Sequence, residues 1–280
     1  YDADYAELGL RGIYDLDTAG GDFVLLTGAN FGPAFSTLFA TLAEQEAAPA
    51  LVVTYGPVVG GRFGYNAEAG DGGVFKYEAQ DCELLVSNSE VLCTTVPGLG
   101  ANLTWRIEVG GQGATSLCAG LGPQPGCARN LSTSYAPPEV RPAGVEGTGA
   151  SAVTGGGVLG GTTVGGQQII VAGRMFGPGP GEDAPVVTYG PAGEEDRYRA
   201  EECAVSVDNS QISCLTAEGV GRGHVLAVTV GGQKSNVYAA NIAYSPPNVA
   251  SFYASWDPSE ASSSGLGAST RGEEWVVLQG

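Results

Sequence analysis

Six cysteines, a lone histidine and a pair of Asn-x-Ser/Thr triplets are the residues of this 280-residue chain with the most chemistry to offer. Cysteines bind zinc, attack as thiolates or pair as disulfides. Zinc sites built from cysteine pairs use Cys-x-x-Cys or similar spacing, and none occurs here. A thiolate or serine nucleophile needs a base, and the single histidine, His224, follows Gly221-Arg222-Gly223, where a strand-edge position is expected. Pairing is the remaining use. Cys82 and Cys93 enclose Ser87-Asn88 at their midpoint, and Cys203 and Cys214 enclose Asp208-Asn209. Asn tolerates the left-handed backbone of a tight turn, so each pair is expected to face across one hairpin, near disulfide distance. The repeated separation predicts Cys82–Cys93 and Cys203–Cys214, and confinement to one inserted stretch predicts Cys118–Cys127.

The other candidates are weaker. Asp2, Asp4, Asp15, Asp17 and the run Glu194-Glu195-Asp196 carry hard oxygen ligands of the kind calcium takes, but without any recognised loop spacing they read as solvated charge. Carboxylate pairs able to run acid–base chemistry do not stand out from that surface, so no catalytic residue, metal or cofactor is expected. Gly155-Gly156-Gly157 and Gly160-Gly161 precede no helix-forming segment, which a phosphate loop requires. Asn102-Leu103-Thr104 and Asn130-Leu131-Ser132 are glycosylation sequons, meaningful only on a secretory route, which the cysteine usage favours. Phe35, Phe39, Phe63, Tyr65 and Phe75 are candidate anchors for a partner, or covers for the ends of a sandwich.

The elements that would position these residues are short. With 46 Gly and 16 Pro the chain has little room for long helices. A formal charge of −18, from 30 acidic and 12 basic residues, disfavours nucleic acid and anionic membrane surfaces as partners. No apolar run reaches the roughly 20 residues of a membrane-spanning helix, so direct membrane insertion of this segment is not expected.

Self-similarity organises the rest. Tyr77 to Gln112 aligns without gaps on Tyr198 to Gln233, matching Tyr77, Ala79, Cys82, Val86, Asn88, Ser89, Cys93, Thr95, Gly98, Gly100, Val109, Gly110, Gly111 and Gln112 to identical residue types. Gly20 to Gly28 with Phe31-Gly32-Pro33 aligns on Gly165 to Gly173 with Phe176-Gly177-Pro178, Val53 to Pro57 on Val187 to Pro191, and Tyr135 to Pro138 on Tyr244 to Pro247. The chain therefore holds two copies of one unit, the first enlarged by insertions between Ala34 and Val52, Val58 and Lys76, and Gly113 and Ser134. A third copy begins at Gly272 to Gly280. Alternation in Trp105, Ile107, Val109 and in Leu226, Val228, Val230 means strand, and six or seven short strands per copy predict an all-β fold of tandem immunoglobulin-like sandwiches. The expected divisions are residues 1–7 as the tail of a preceding repeat, 8–136 and 137–245 as sandwiches, and 246–280 as a linker and first strand. Arg141 to Val164 and Ala250 to Arg271 read as long linkers.

The ordered set of Gly-x-Phe/Ile-Val/Ile with Phe-Gly-Pro, the Val-Thr-Tyr-Gly strand, Cys93-Thr94-Thr95-Val96-Pro97-Gly98-Leu99-Gly100, Val109-Gly110-Gly111-Gln112 and Tyr135-Ala136-Pro137-Pro138 resembles the IPT/TIG family. It is similar above all to the long arrays of fibrocystin-type surface proteins. The resemblance implies an early-set immunoglobulin fold, an extracellular or cell-surface location and binding or scaffolding work. Related modules contact DNA inside cells, but the paired cysteines and the acidity set this chain apart from them. The reading that follows is a non-catalytic structural or adhesive glycoprotein of a cell, flagellar or ciliary surface. Its expected partners are further copies of the array, other surface proteins and glycans, with assembly into a fibre or coat. The alternatives are a receptor ectodomain that binds a ligand, and accessory modules of a secreted carbohydrate-active enzyme.

Overall fold

The computed structural model describes residues 14–33, 51–59, 62–63, 76–116, 132–147, 160–179, 183–255, 272 and 275–280. The first copy contributes β1 (Phe23–Thr27), β2 (Leu51–Val59), β3 (Arg62–Phe63), β4 (Tyr77–Glu78), β5 (Gln80–Val86), β6 (Glu90–Thr94), β7 (Leu103–Val109), β8 (Gln112–Thr115) and β9 (Ser132–Thr133). The second contributes β10 (Glu139–Gly147), β11 (Gln168–Arg174), β12 (Val186–Gly190), β13 (Tyr198–Arg199), β14 (Glu201–Val207), β15 (Gln211–Leu215), β16 (His224–Val230), β17 (Gln233–Lys234) and β18 (Tyr238–Ile242). Two more strands follow, β19 (Ser251–Ser255) and β20 (Trp275–Gln279). No helix occurs among the described residues, and every strand pair is antiparallel.

Each copy is an immunoglobulin-like sandwich. In the second, one sheet runs β10-β11-β15-β14 and the other β13-β12-β16-β17, with β18 also on β16. In the first, β1-β6-β5 faces β3-β2-β7-β8, with β4 on β2 and β9 on β7. The inner faces supply separate cores. One gathers Val24, Val53, Tyr55, Val91, Leu103 and Trp105, the other Ile169, Val171, Val187, Ile212, Leu226 and Val228. Period two explains the partition: β15 alternates between buried and half-buried positions along its length, and so does β6.

Two stretches expected as linkers carry strands instead. Glu139–Gly147 pairs with β11 as the edge of its sheet, and Ser251–Ser255 pairs with β20. Pro142 hid the first from a reading by periodicity, since proline donates nothing to a ladder and is confined to edges and irregularities. It lies where the register shifts, between Val140 and Val145.

Candidate functional site: the seam between the sandwiches

The loop from β6 to β7 is held by phenols. Tyr77 Oη accepts from the Leu99 amide at 3.0 Å and donates to the Leu99 carbonyl at 2.9 Å, gripping one residue by both backbone groups. Below it, Tyr55 and Tyr135 share a hydrogen bond of 2.7 Å between their hydroxyls. The Val96 amide donates to Tyr55 Oη at 2.9 Å, and Tyr135 Oη lies 2.6 Å from the Val96 carbonyl. Gly98 has no room for a side chain, because a Cβ would stand 2.7 Å from Tyr135 Oη and 2.8 Å from Tyr77 Cζ. Desolvation raises the pKa of both Tyr55 and Tyr135, so the pair stays protonated. The second copy repeats the device with Tyr198 on Val220, at 3.2 Å and 3.0 Å, and with Tyr189 and Tyr244 sharing a 2.7 Å bond beside Ala217.

What the first clamp presents is a knob. Leu99 is only 7% exposed, and it belongs to the core of the second sandwich, not the first. Its receptacle is built from the loop after β11, the β14–β15 turn and the turn after β16. Gly177, at φ +82°, leaves the space the knob fills, since a Cβ there would lie 2.6 Å from Leu99 Cγ. Gly231 does the same, its missing Cβ falling 2.8 Å from Leu99 Cβ. Asn209 in the turn has φ +60°. Its Oδ1 accepts from the Gly177 amide at 3.0 Å and from the Thr18 hydroxyl at 2.5 Å. Thr18 is fully buried, with Met175 Sδ 3.5 Å away. Gln233 Nε2 donates to the Tyr135 carbonyl at 3.0 Å, and Lys76 pairs with Asp183 across the seam.

Beside these contacts lies a cleft of about 260 Å³ lined by Lys76, Leu99, Pro178, Asp183, Pro185 and Val205 among others. The arrangement fixes one sandwich on the other. Burying a leucine side chain is worth about 2 kcal/mol, whereas the half-exposed Lys76–Asp183 pair adds at most about 1 kcal/mol.

Of the described cysteines, Cys203 lines that cleft. Cys82 is bonded to Cys93 and Cys203 to Cys214, with Cα atoms 4.1 and 4.2 Å apart. Both bridges join neighbouring strands of one sheet. In each, the register shifts beside the first cysteine, where Asp81 (φ +49°) and Glu202 (φ +50°) form a bulge. Asn102 is exposed in the turn before β7. Asn130, Cys118 and Cys127 lie outside the described residues, as do Asp2, Asp4, Phe35, Phe39, Tyr65 and Phe75, and for Phe63 only the backbone, in β3, is described. His224 opens β16 at 1% exposure, beside the rings of Tyr198 and Tyr244, with Nε2 at 3.1 Å from the Val220 carbonyl and Nδ1 without a partner among the described residues.

The acidic candidates serve local structure. Asp17 Oδ1 accepts from the Ala19 amide, and Asp196 accepts from Lys234 and Thr188, which hold its carboxyl below the usual range. Glu195 is lowered by the Gly193 amide. Among the described residues no three His, Cys, Asp or Glu side chains gather as a metal site would require. The seam residues themselves escaped a reading of motifs. A signal existed in Gly98-Leu99-Gly100 and Gly219-Val220-Gly221, an apolar residue isolated between glycines in a loop.

No protein-family model matches the chain, and no curated protein does. Among solved structures, SGBP-B from a complex xyloglucan utilization locus in Bacteroides uniformis is similar over 80% of this chain at 13% identity, with a TM-score of 0.25. The chain spans 46% of that protein's length, and a likeness this loose carries no argument about function.

Proposed function

We propose that the chain is a segment of a non-catalytic extracellular repeat protein of a cell surface, a tandem array of IPT/TIG-type modules that spaces and presents protein or glycan contacts. The observation that carries this is the seam. Loops at one end of the first sandwich, at Thr18 and Leu99, meet loops at the opposite end of the second, at Gly177, Asn209 and Gly231. The length of β7 separates those ends, its first residue adjoining the Leu99 loop and its last the Gly110-Gly111 turn. An end-to-end joint with a buried knob makes a spacer and leaves loops and strand edges open for contact. Disulfides within each sandwich support an oxidising location.

Small-angle scattering tests the reading. A single compact body of this length has a radius of gyration of about 19 Å, whereas two end-to-end sandwiches should exceed about 23 Å. A value near the compact figure, or turnover of a glycan or ester substrate abolished by one carboxylate substitution, would overturn it.

A further inference from the structure

The second copy carries the same clamp and knob, and none of the described residues covers the knob as the seam covers Leu99. Val220 is gripped by Tyr198 through its amide and carbonyl as Leu99 is by Tyr77. Yet Val220 is 64% exposed where Leu99 is 7%. Thr163, the counterpart of Thr18, holds the same backbone bond, accepting from the Gly219 amide at 3.0 Å as Thr18 accepts from Gly98 at 3.0 Å. Thr18 is fully buried, Thr163 is exposed, and its neighbour Val164 is 80% exposed. A loop pinned by two hydrogen bonds and a packed glycine, holding out a bare valine, is preorganised for an occupant.

We propose that Val220, Thr163 and Val164 form the seat of a third copy of this repeat. Its occupant is the loop end of the sandwich that β19 and β20 open, equivalent to Gly177, Asn209 and Gly231. Continuity with the existing seam is the first argument, since knob and clamp recur with the same partners. The second lies in β20. Val276 and Leu278 align with Ile169 and Val171, which are fully buried in the second core, but are themselves 60% and 63% exposed. A two-stranded hairpin with an uncovered apolar face is at best marginal in water, so β19 and β20 need the remaining strands of a sandwich. The inference rests on the array reading and adds to it a seam that recurs from copy to copy, fixing each unit on the last.

The test completes that copy with the chain's own sequence, joining residues 174–245 after Gly280 so that the known receptacle follows β20. The substitutions V220C and L278C are introduced in separate proteins, with and without the extension, and labelling of the new thiol by a thiol reagent is timed. L99C in the unextended chain is the buried reference. We expect both V220C and L278C to label rapidly in the unextended chain and about tenfold or more slowly once it is extended, as for groups reached only by local opening. Slow labelling of L278C with fast labelling of V220C overturns the seat while leaving the array reading intact. Fast labelling of L278C in the extended chain overturns the proposal at its root, because β19 and β20 would then open no copy of this repeat.

Discussion

Thr104 is a residue whose chemistry and packing disagree. It is 1% exposed on β7, and its hydroxyl has no hydrogen-bond partner among the described residues. The second copy places Val225 at the aligned position. An unpaired buried hydroxyl costs about 1–3 kcal/mol, so packing alone prefers valine. On the proposed secreted reading the hydroxyl would have a use outside the fold, as the third residue of the Asn102 sequon, and Asn102 is exposed. Thr104→Val should therefore act in opposite directions, raising the stability of the first sandwich by about 1 kcal/mol in denaturant unfolding and removing glycan from Asn102 in secreted material. Glycopeptide mapping that finds Asn102 bare in the wild-type secreted protein would dispose of the sequon as the explanation. In a sequence, Asn-Leu-Thr states the acceptor but not the strain beside it; only the neighbours of Thr104 show that.

Among elements, the loop from β6 to β7 has most to reveal, because two nearly identical copies stand in different surroundings. Tyr77→Phe removes both ligands of the Leu99 backbone in a buried place and should cost about 2 kcal/mol. Tyr198→Phe makes the same deletion where the bonds are exposed and water can replace the phenol, so its cost should be under about 1 kcal/mol. Denaturant titration of both variants checks the difference; equal costs would mean the clamp is indifferent to what covers it. Periodicity made the inner strands legible, since β15 and β6 bury alternate side chains and β16 buries Leu226, Val228 and Val230 on one face, with Ala227 buried between them. It missed β10 and β19, edge strands with little to alternate, one of them broken at Pro142. The repeated Asn88 and Asn209 were legible as turn formers, and both adopt positive φ. That Asn209 also receives Thr18, 191 positions earlier in the chain, is a tertiary fact no local pattern contains.

At the scale of the whole molecule, each sandwich carries a hydrogen-bonded pair of buried phenols at its end next to a loop, and its alkaline limit is expected to follow from them. Desolvation raises the pKa of Tyr55, Tyr135, Tyr189 and Tyr244 above the usual value of 10.0. A raised folded-state value means the folded chain holds the proton more tightly than the unfolded chain does. The stabilisation is complete below the unfolded value and is lost as pH rises through and beyond it. Urea midpoints should hold level up to about pH 9 and fall by about pH 11, both sandwiches declining together because both carry the pair. A midpoint insensitive to alkali would show that the phenols are solvated.

The disulfides bear on what happens when such a chain is pulled. Each bridge closes a hairpin inside one sheet, spanning 11 residues from β5 to β6 or from β14 to β15. Tension applied through neighbouring copies enters the second sandwich at β10 and leaves after β18, and the covalent link lies off that load path. Stretching would peel the edge strand and open the core before the bridge carries any load. Only the hairpin would stay shut, withholding about 35 Å of contour at the 3.3–3.6 Å that each extended residue spans. The bridges thus act as knots near the middle of each unit, limiting how far it unravels and preserving a folded turn, Asn209 included, from which the seam can re-form when the load is released.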